Sequence, residues 1–429
     1  VYRLPFNLKA ASYMLVEKKV KLFKIKKKLK NLGNRSLLRE LQDNKFQFES
    51  LEREYVLQYA DDLTDAHQQA IEYYQANLKS NLKEPESWKS LVLEDVSEFL
   101  EIIDHRCELK QYASANESLD ICYGFLNRRG YYGVLVEIYD KLVKGWQSNL
   151  QPKNKSDYAS SLKNLGNAYF FQGNYQQAKN YFQKSLKITR EIGDRNGVAK
   201  SLNNLGNGYY NLGDYQQAID YYQQSLEITQ KIGDRNGVAK SLNNLGNAYN
   251  NLGEYRRAID YHQQSLEITR EISDRSGVAN SLNNLGNAYN NLGEYRQAID
   301  YHQQSLEITR EISDRNGVAS SLIGLGNAYN SLGEYPRAID YYQQSKEITG
   351  EIGDRYGVAS SLNNLGNAYN SLGEYPRAID YYQQSKEITR EIGDRNGVAS
   401  SLIGLGNAYN SLGEYPRAID YYQQSKEIT

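Results

Sequence analysis

Apolar residues recur through residues 157–429 at spacings of three and four. In the stretch that begins at Asp194, Val198, Leu202, Leu205, Tyr209 and Leu212 trace one face of a helix. "NLGDY" interrupts the stripe, and Gly213 suits a left-handed C-cap. The stripe resumes with Tyr215, Ala218, Ile219, Tyr222, Leu226 and Ile228, which predicts a second helix. Gly193 and Gly233 predict the ends of second helices. Asp194 and Asp234 predict N-caps for the first helices that follow, their carboxylates accepting otherwise unpaired backbone N–H groups. Pro336, Pro376 and Pro416 fall in the first turn of a second helix, where a missing N–H costs nothing.

The two-helix pattern is written seven times with a period of 40, marked by Gly166, Gly206, Gly246, Gly286, Gly326, Gly366 and Gly406. Residues 314–349 recur without change at 394–429, which points to recent duplication. Small residues stand where helices must approach closely: Gly206, Gly208, Ala218 and Ser225. Leu226, Leu266 and Leu306 give way to Lys346, Lys386 and Lys426 in later units. Because a buried unpaired lysine is costly, this position is expected at the outer surface, with the lysine stem lying along its neighbours.

A polar row runs beside the apolar one. Asn203, Asn207 and Asn211 lie four apart on a different face of the first helix. The row recurs as Asn243, Asn247 and Asn251, and as Asn283, Asn287 and Asn291. Asparagine is a mediocre helix former, so propensity does not place it there. Its side-chain amide offers both donor and acceptor, and a ladder of amides could pair with the N–H and C=O groups of an extended peptide. Two other readings stay open: bonding within the array, or simple solvation. The ladder has gaps, since Lys163, Ile323 and Ile403 take the Asn203 position and Gly324 and Gly404 take that of Asn204.

"LGNAY…LGEY…AIDYY…S" resembles the tetratricopeptide repeat, with Leu205, Gly206, Tyr209, Ala218, Tyr222 and Ser225 on its signature positions. The usual unit has about 34 residues; the extra ones here lie around "EIGDRNG". The pattern is similar to the longer variety in the Pins/LGN group, kinesin light chains and bacterial arrays. The resemblance implies an all-α, right-handed superhelical solenoid of antiparallel helix pairs, with first helices lining a concave groove. It also implies that asparagines matching Asn207 contact ligand backbone. On that basis the expected binding residues are Asn167, Asn207, Asn247, Asn287, Asn327, Asn367 and Asn407, joined by Asn203, Asn211, Asn243, Asn251, Asn283, Asn291 and Asn363 of the same rows.

Composition adds mainly exclusions. The chain has 429 residues and net charge −1, from 51 basic and 52 acidic residues, which gives no reason to expect nucleic acid or a membrane as partner. Cys107 and Cys122 are too few for a disulfide framework or zinc site, and fit a reducing, cytoplasmic setting. No apolar run approaches the roughly 20 residues of a spanning helix, and "VYRLPFNLKA" lacks a signal-peptide core. A start at Val1 and an end at Thr429, inside a repeat, suggest a fragment or processed chain. His67, His105, His262 and His302 are scattered, the last two standing at the packing position of Tyr222. No phosphate loop, nucleophile elbow or metal-spaced cluster occurs, so neither cofactor nor enzyme activity is expected.

Residues 1–45 carry the basic run "EKKVKLFKIKKKLK", which reads as a solvated arm or as a basic amphipathic helix. Residues 46–156 read as irregular helices. "AHQQAIEYY" and "YYGVLVEIYDKLV" look like degenerate second helices of the repeat, and Pro85 and "LQPKNKSD" punctuate. Residues 157–429 form the regular array. The expected function is a protein-interaction scaffold holding a peptide or partner protein in the groove. The alternative is the sensor arm of a larger signal-transduction ATPase, whose helical segment residues 46–156 resemble. The apolar stripe of the last helix, with Tyr415, Ile419 and Tyr422, is expected to stay open and to allow end-to-end self-association.

Overall fold

A computed structural model describes residues 6–7, 38–40, 45–48, 63–78, 91–148 and 150–428. The chain divides into two compact units, residues 1–204 and 205–429. Helices dominate the described residues, in successive packed pairs.

The first unit opens with a small antiparallel sheet of β1 (Phe6–Asn7), β2 (Leu38–Glu40) and β3 (Lys45–Phe48), in the order β1-β3-β2. Phe6 pairs with Phe46, and Leu38 with Phe48. Helix was expected from Phe46 onward, and for Phe46–Phe48 this is corrected, because these residues lie in β3. "KFQF" alternates polar and aromatic residues, a period of two that suits a strand. The lysine-rich run of residues 18–30, "LEREYVLQYA" and Pro85 lie outside the described residues.

Helices α1 (Thr64–Asn77), α2 (Ser97–Glu108), α3 (Tyr112–Arg128) and α4 (Tyr132–Ser148) follow. The two degenerate second helices expected from the sequence coincide with α1 and α4. Leu119, Phe125 and Leu126 of α3 and Tyr139, Leu142 and Trp146 of α4 are buried in one apolar cluster. Lys141 on α4 donates to Asp104 at 2.5 Å and to Glu108 at 2.7 Å on α2, which ties these helices across the chain. Burial pushes the Cys107 and Cys122 thiols up to about 12, so both are protonated and unreactive at neutral pH. Helices α5 (Lys155–Phe171) and α6 (Tyr175–Glu191) form the first regular pair.

Helix α7 (Arg195–Asn211) spans the division at 204/205. The second unit continues with α8 (Tyr215–Ile232), α9 (Arg235–Asn251), α10 (Tyr255–Glu271), α11 (Arg275–Leu292) and α12 (Tyr295–Glu311). Then come α13 (Arg315–Ser331), α14 (Tyr335–Glu351), α15 (Arg355–Ser371), α16 (Tyr375–Glu391), α17 (Arg395–Ser411) and α18 (Tyr415–Ile428).

Local chemistry explains the breaks. Asp234 caps α9 by accepting from the Gly237 backbone N–H at 2.9 Å. A Cβ on Gly237 would lie 2.6 Å from Thr229 Cγ2, so the "DRNG" glycine lets the cap close against the previous helix. Gly213 and Gly233 have φ of 80° and 73°, as their expected C-cap role requires. Ser273 and Ser313 adopt 58° and 57° at the same connection, without glycine's freedom.

Packing follows the small residues. A Cβ on Gly206 would come within 2.4 Å of Tyr222 Cε1, so the glycine admits a ring that is only 2% exposed. Leu266 and Leu306 are buried, whereas Lys346 and Lys386 are half-buried. Leu226 is half-buried as well and Lys426 is exposed, so the position is partly covered and no lysine on it is fully buried. Lysine is tolerated because its stem packs while its ammonium escapes, as Lys386 Nζ does 5.7 Å above the Tyr421 ring. Leu212, counted into the apolar stripe, is exposed, and the stripe ends at Tyr209.

Candidate functional site

Two buried hydroxyl rows register one pair against the next. Ser265 donates to the Ala239 carbonyl of its own first helix at 3.0 Å, and its Oγ lies 3.0 Å from Ser281 Oγ on the next first helix. The same contact joins Ser225 to Ser241, Ser305 to Ser321, Ser345 to Ser361 and Ser385 to Ser401. In the first unit Ser185 meets Ser201 in the same way. Serines of the Ser241 series escape a sequence reading, because nothing in the apolar period marks a buried hydroxyl.

With that face used for stacking, the asparagine rows lie on another. In the second unit the first helices of successive pairs, α9, α11, α13, α15 and α17, also contact each other directly, which sets their side chains in one continuous strip. Asn207, Asn247, Asn287 and Asn327 are half-buried along it, and Asn367 and Asn407 are exposed. In the first unit Asn167 and Lys163 are half-buried, while Asn203 is buried. Burial first, and then repulsion from Lys200, holds the Lys163 ammonium below the usual lysine range.

Most rungs are tied inside the fold. Asn207 Oδ1 accepts from the Tyr222 hydroxyl at 2.8 Å and from Asn244 Nδ2 at 3.3 Å. Asn327, Asn367 and Asn407 accept from Tyr342, Tyr382 and Tyr422 at 2.8, 2.7 and 2.8 Å. Phe182 takes the tyrosine position beside Asn167, which accepts from Asn204 at 3.3 Å instead. His262 and His302 take it in two further units. Their Nδ1 atoms lie 2.9 Å from Asn243 Oδ1 and Asn283 Oδ1, one helical turn before Asn247 and Asn287. Asn243 also accepts from Asn284 at 3.0 Å. The outer row bonds within the array: Asn211 donates to the Asn207 carbonyl of its own helix, while Asn251 donates to Tyr210 Oη and Asn291 to Asn250 Oδ1 on the preceding first helix. Asn363 Oδ1 is buried without a hydrogen bond.

Burial pushes His262 down to about 3 and His302 to about 4, so both rings are neutral at pH 7. In the first unit His67 Nδ1 lies 2.9 Å from His105 Nδ1, and burial pushes His105 down to about 3. Among the described residues no group of three His, Cys, Asp or Glu side chains could hold a metal ion. No described helix is long and apolar enough to cross a membrane.

A family model for the tetratricopeptide repeat matches residues 125–191, 157–231, 197–271, 277–350 and 357–429, well over half of the chain. The chain belongs to the tetratricopeptide repeat family. No curated protein sequence matches it. Solved structures share the repeat fold at low identity. A Rap protein complexed with competence and sporulation factor is 16% identical with a TM-score of 0.55, over 85% of this chain and 96% of its own. The apo quorum sensor NprR from B. thuringiensis is 15% identical at 0.54, over 95% and 99%. A signal-transduction ATPase with numerous domains from Pyrococcus horikoshii, carrying a tetratricopeptide repeat sensor, is 14% identical at 0.53. That match covers 99% of this chain and 61% of the ATPase. These likenesses show that the tetratricopeptide pairs assemble here as an all-α solenoid, to which the short sheet is an addition.

Proposed function

We propose that this tetratricopeptide array is a non-catalytic scaffold whose first-helix strip in residues 205–429 takes an extended polypeptide. The observation that carries the reading is the run of accessible primary amides from Asn207 to Asn407, uncharged groups at one-unit intervals. Main-chain N–H and C=O groups are their natural complement. A Rap protein of the same fold has been solved with competence and sporulation factor, which supports a ligand-holding role for such an array. The protonated thiols and neutral packed histidines support a role without catalysis, and the unpaired Cys107 and Cys122 suit a reducing, cytoplasmic setting.

Selection of a phage-displayed library of random linear peptides against the full chain tests the reading. It predicts binders whose affinity changes little with salt, because neither the amides nor a main chain is charged. Failure to enrich any binder would remove it. A second reading, the sensor arm of a larger ATPase, rests on the match to the Pyrococcus horikoshii protein over nearly the whole chain. A phosphate-binding loop encoded upstream in the same gene would favour it; a gene without one would count against it.

A further inference from the structure

We infer that His262 and His302 single out Asn247 and Asn287 as the two rungs that pair fully with the main chain of an extended polypeptide; this rests on the scaffold reading above. In four units a tyrosine hydroxyl occupies the ladder Oδ1, at Asn207, Asn327, Asn367 and Asn407. A latched amide keeps its Nδ2 donors for a ligand but has given at least one of its two acceptor lone pairs to the fold, and at Asn207 both are taken. The histidine ring is shorter than tyrosine and carries no hydroxyl. It bonds one turn earlier, to Asn243 and Asn283, and so leaves the next asparagine unlatched.

Among the described residues, the side chains of Asn247 and Asn287 make no hydrogen bond, and both stay half-buried rather than withdrawn. The geometry at His302 shows the shortfall directly. Its Nε2 is buried with no hydrogen-bond partner, and lies 2.6 Å from where a Cβ on Gly286 would sit, beside Asn287. The ring stops at the helix surface, where a tyrosine would continue to the amide.

The two unlatched rungs stand in consecutive units, on the contacting helices α9 and α11. Packed helices lie roughly 10 Å apart and an extended chain rises about 3.3 Å per residue, so a ligand places about three residues between rungs. Each complete amide accepts one main-chain N–H and donates to one C=O. The following first helix, α13, substitutes Ile323 for the next inner asparagine, and Ile323 is half-buried. The ligand is therefore an extended polypeptide stretch whose main chain spans the two amides, with an apolar side chain beyond them over Ile323.

The test uses peptides selected from the random linear library on the full chain and compares four proteins by calorimetry: the unaltered chain, H262Y/H302Y, N247A/N287A and N327A/N367A. The tyrosine variant installs a residue that four other units already carry at this position, and Gly404 accommodates Tyr382 in the arrangement Gly324 would meet at position 302. Its circular dichroism should match the unaltered chain. Losing two complete rungs predicts roughly tenfold weaker binding for N247A/N287A, with a smaller loss for H262Y/H302Y, whose amides keep their donors, and for N327A/N367A. Peptides that bind H262Y/H302Y as tightly as the unaltered chain would overturn the assignment while leaving the scaffold reading standing. A larger loss in N327A/N367A than in N247A/N287A would overturn it as well. If no peptide is selected at all, the scaffold reading itself falls.

Discussion

Acid should strike the second unit through His262 and His302. Both rings are almost fully buried, at 1% and 0% exposure, and burial alone depresses them to about 3 and about 4. A free histidine titrates near pH 6.5, so the unfolded chain takes up protons first as pH falls. Their stabilising contribution is complete above about pH 6.5 and drains away between there and the folded values. At pH 5 the gap from 6.5 is about 1.5 units, or about 2 kcal/mol per ring at about 1.36 kcal/mol per unit, hence about 4 kcal/mol for both. The perturbation is the same H262Y/H302Y exchange, which deletes both titrations without emptying the core. Urea unfolding followed by circular dichroism at pH 7 and pH 5 gives the overall difference. Hydrogen exchange in α10 and α12 localises it, since repeat arrays open unit by unit. The unaltered chain should lose several kcal/mol more than the variant on acidification, with His105 serving as a common background in the first unit. Parallel losses in the two proteins would refute the reasoning.

Two further outcomes follow from packing. Gly206→Ala drives a methyl into the Tyr222 ring, at 2.4 Å from Cε1, and should cost about 1–3 kcal/mol in thermal or urea melts. Replacing Ser273 and Ser313 by glycine relieves left-handed backbone at φ of 58° and 57°, and should stabilise by about 0.5–1 kcal/mol each in the same melts.

The architecture of the repeats could be read from the chain because period, caps and close-contact glycines each have a local signature. Asp234 with Gly237 is an example: the spacing of three that fits a cap in the sequence is the spacing of the bond in the structure. The lysine position was partly legible: Lys346 and Lys386 are half-buried, as expected of a stem that packs along its neighbours, but the burial of Leu266 and Leu306 at the same place could not be read from the lysines. The short sheet was hidden because β3 lies next to helix-forming sequence and has only four residues in which to show its alternation. At the candidate site, the sequence shows the asparagine rows but not which partner each amide takes. That choice depends on ring length across a helix pair, as at Tyr222 and His262, and no single-helix pattern encodes it.

The central claim is that the amide strip holds a polypeptide by its main chain. An ester-for-amide scan of a selected peptide tests it most directly, because each ester removes one main-chain N–H while keeping the side chain. One or two ester positions, about three residues apart, should weaken binding to the full chain roughly tenfold, whereas alanine at those same positions should change little. An ester scan flat across the peptide, with affinity carried wholly by side chains, would contradict it.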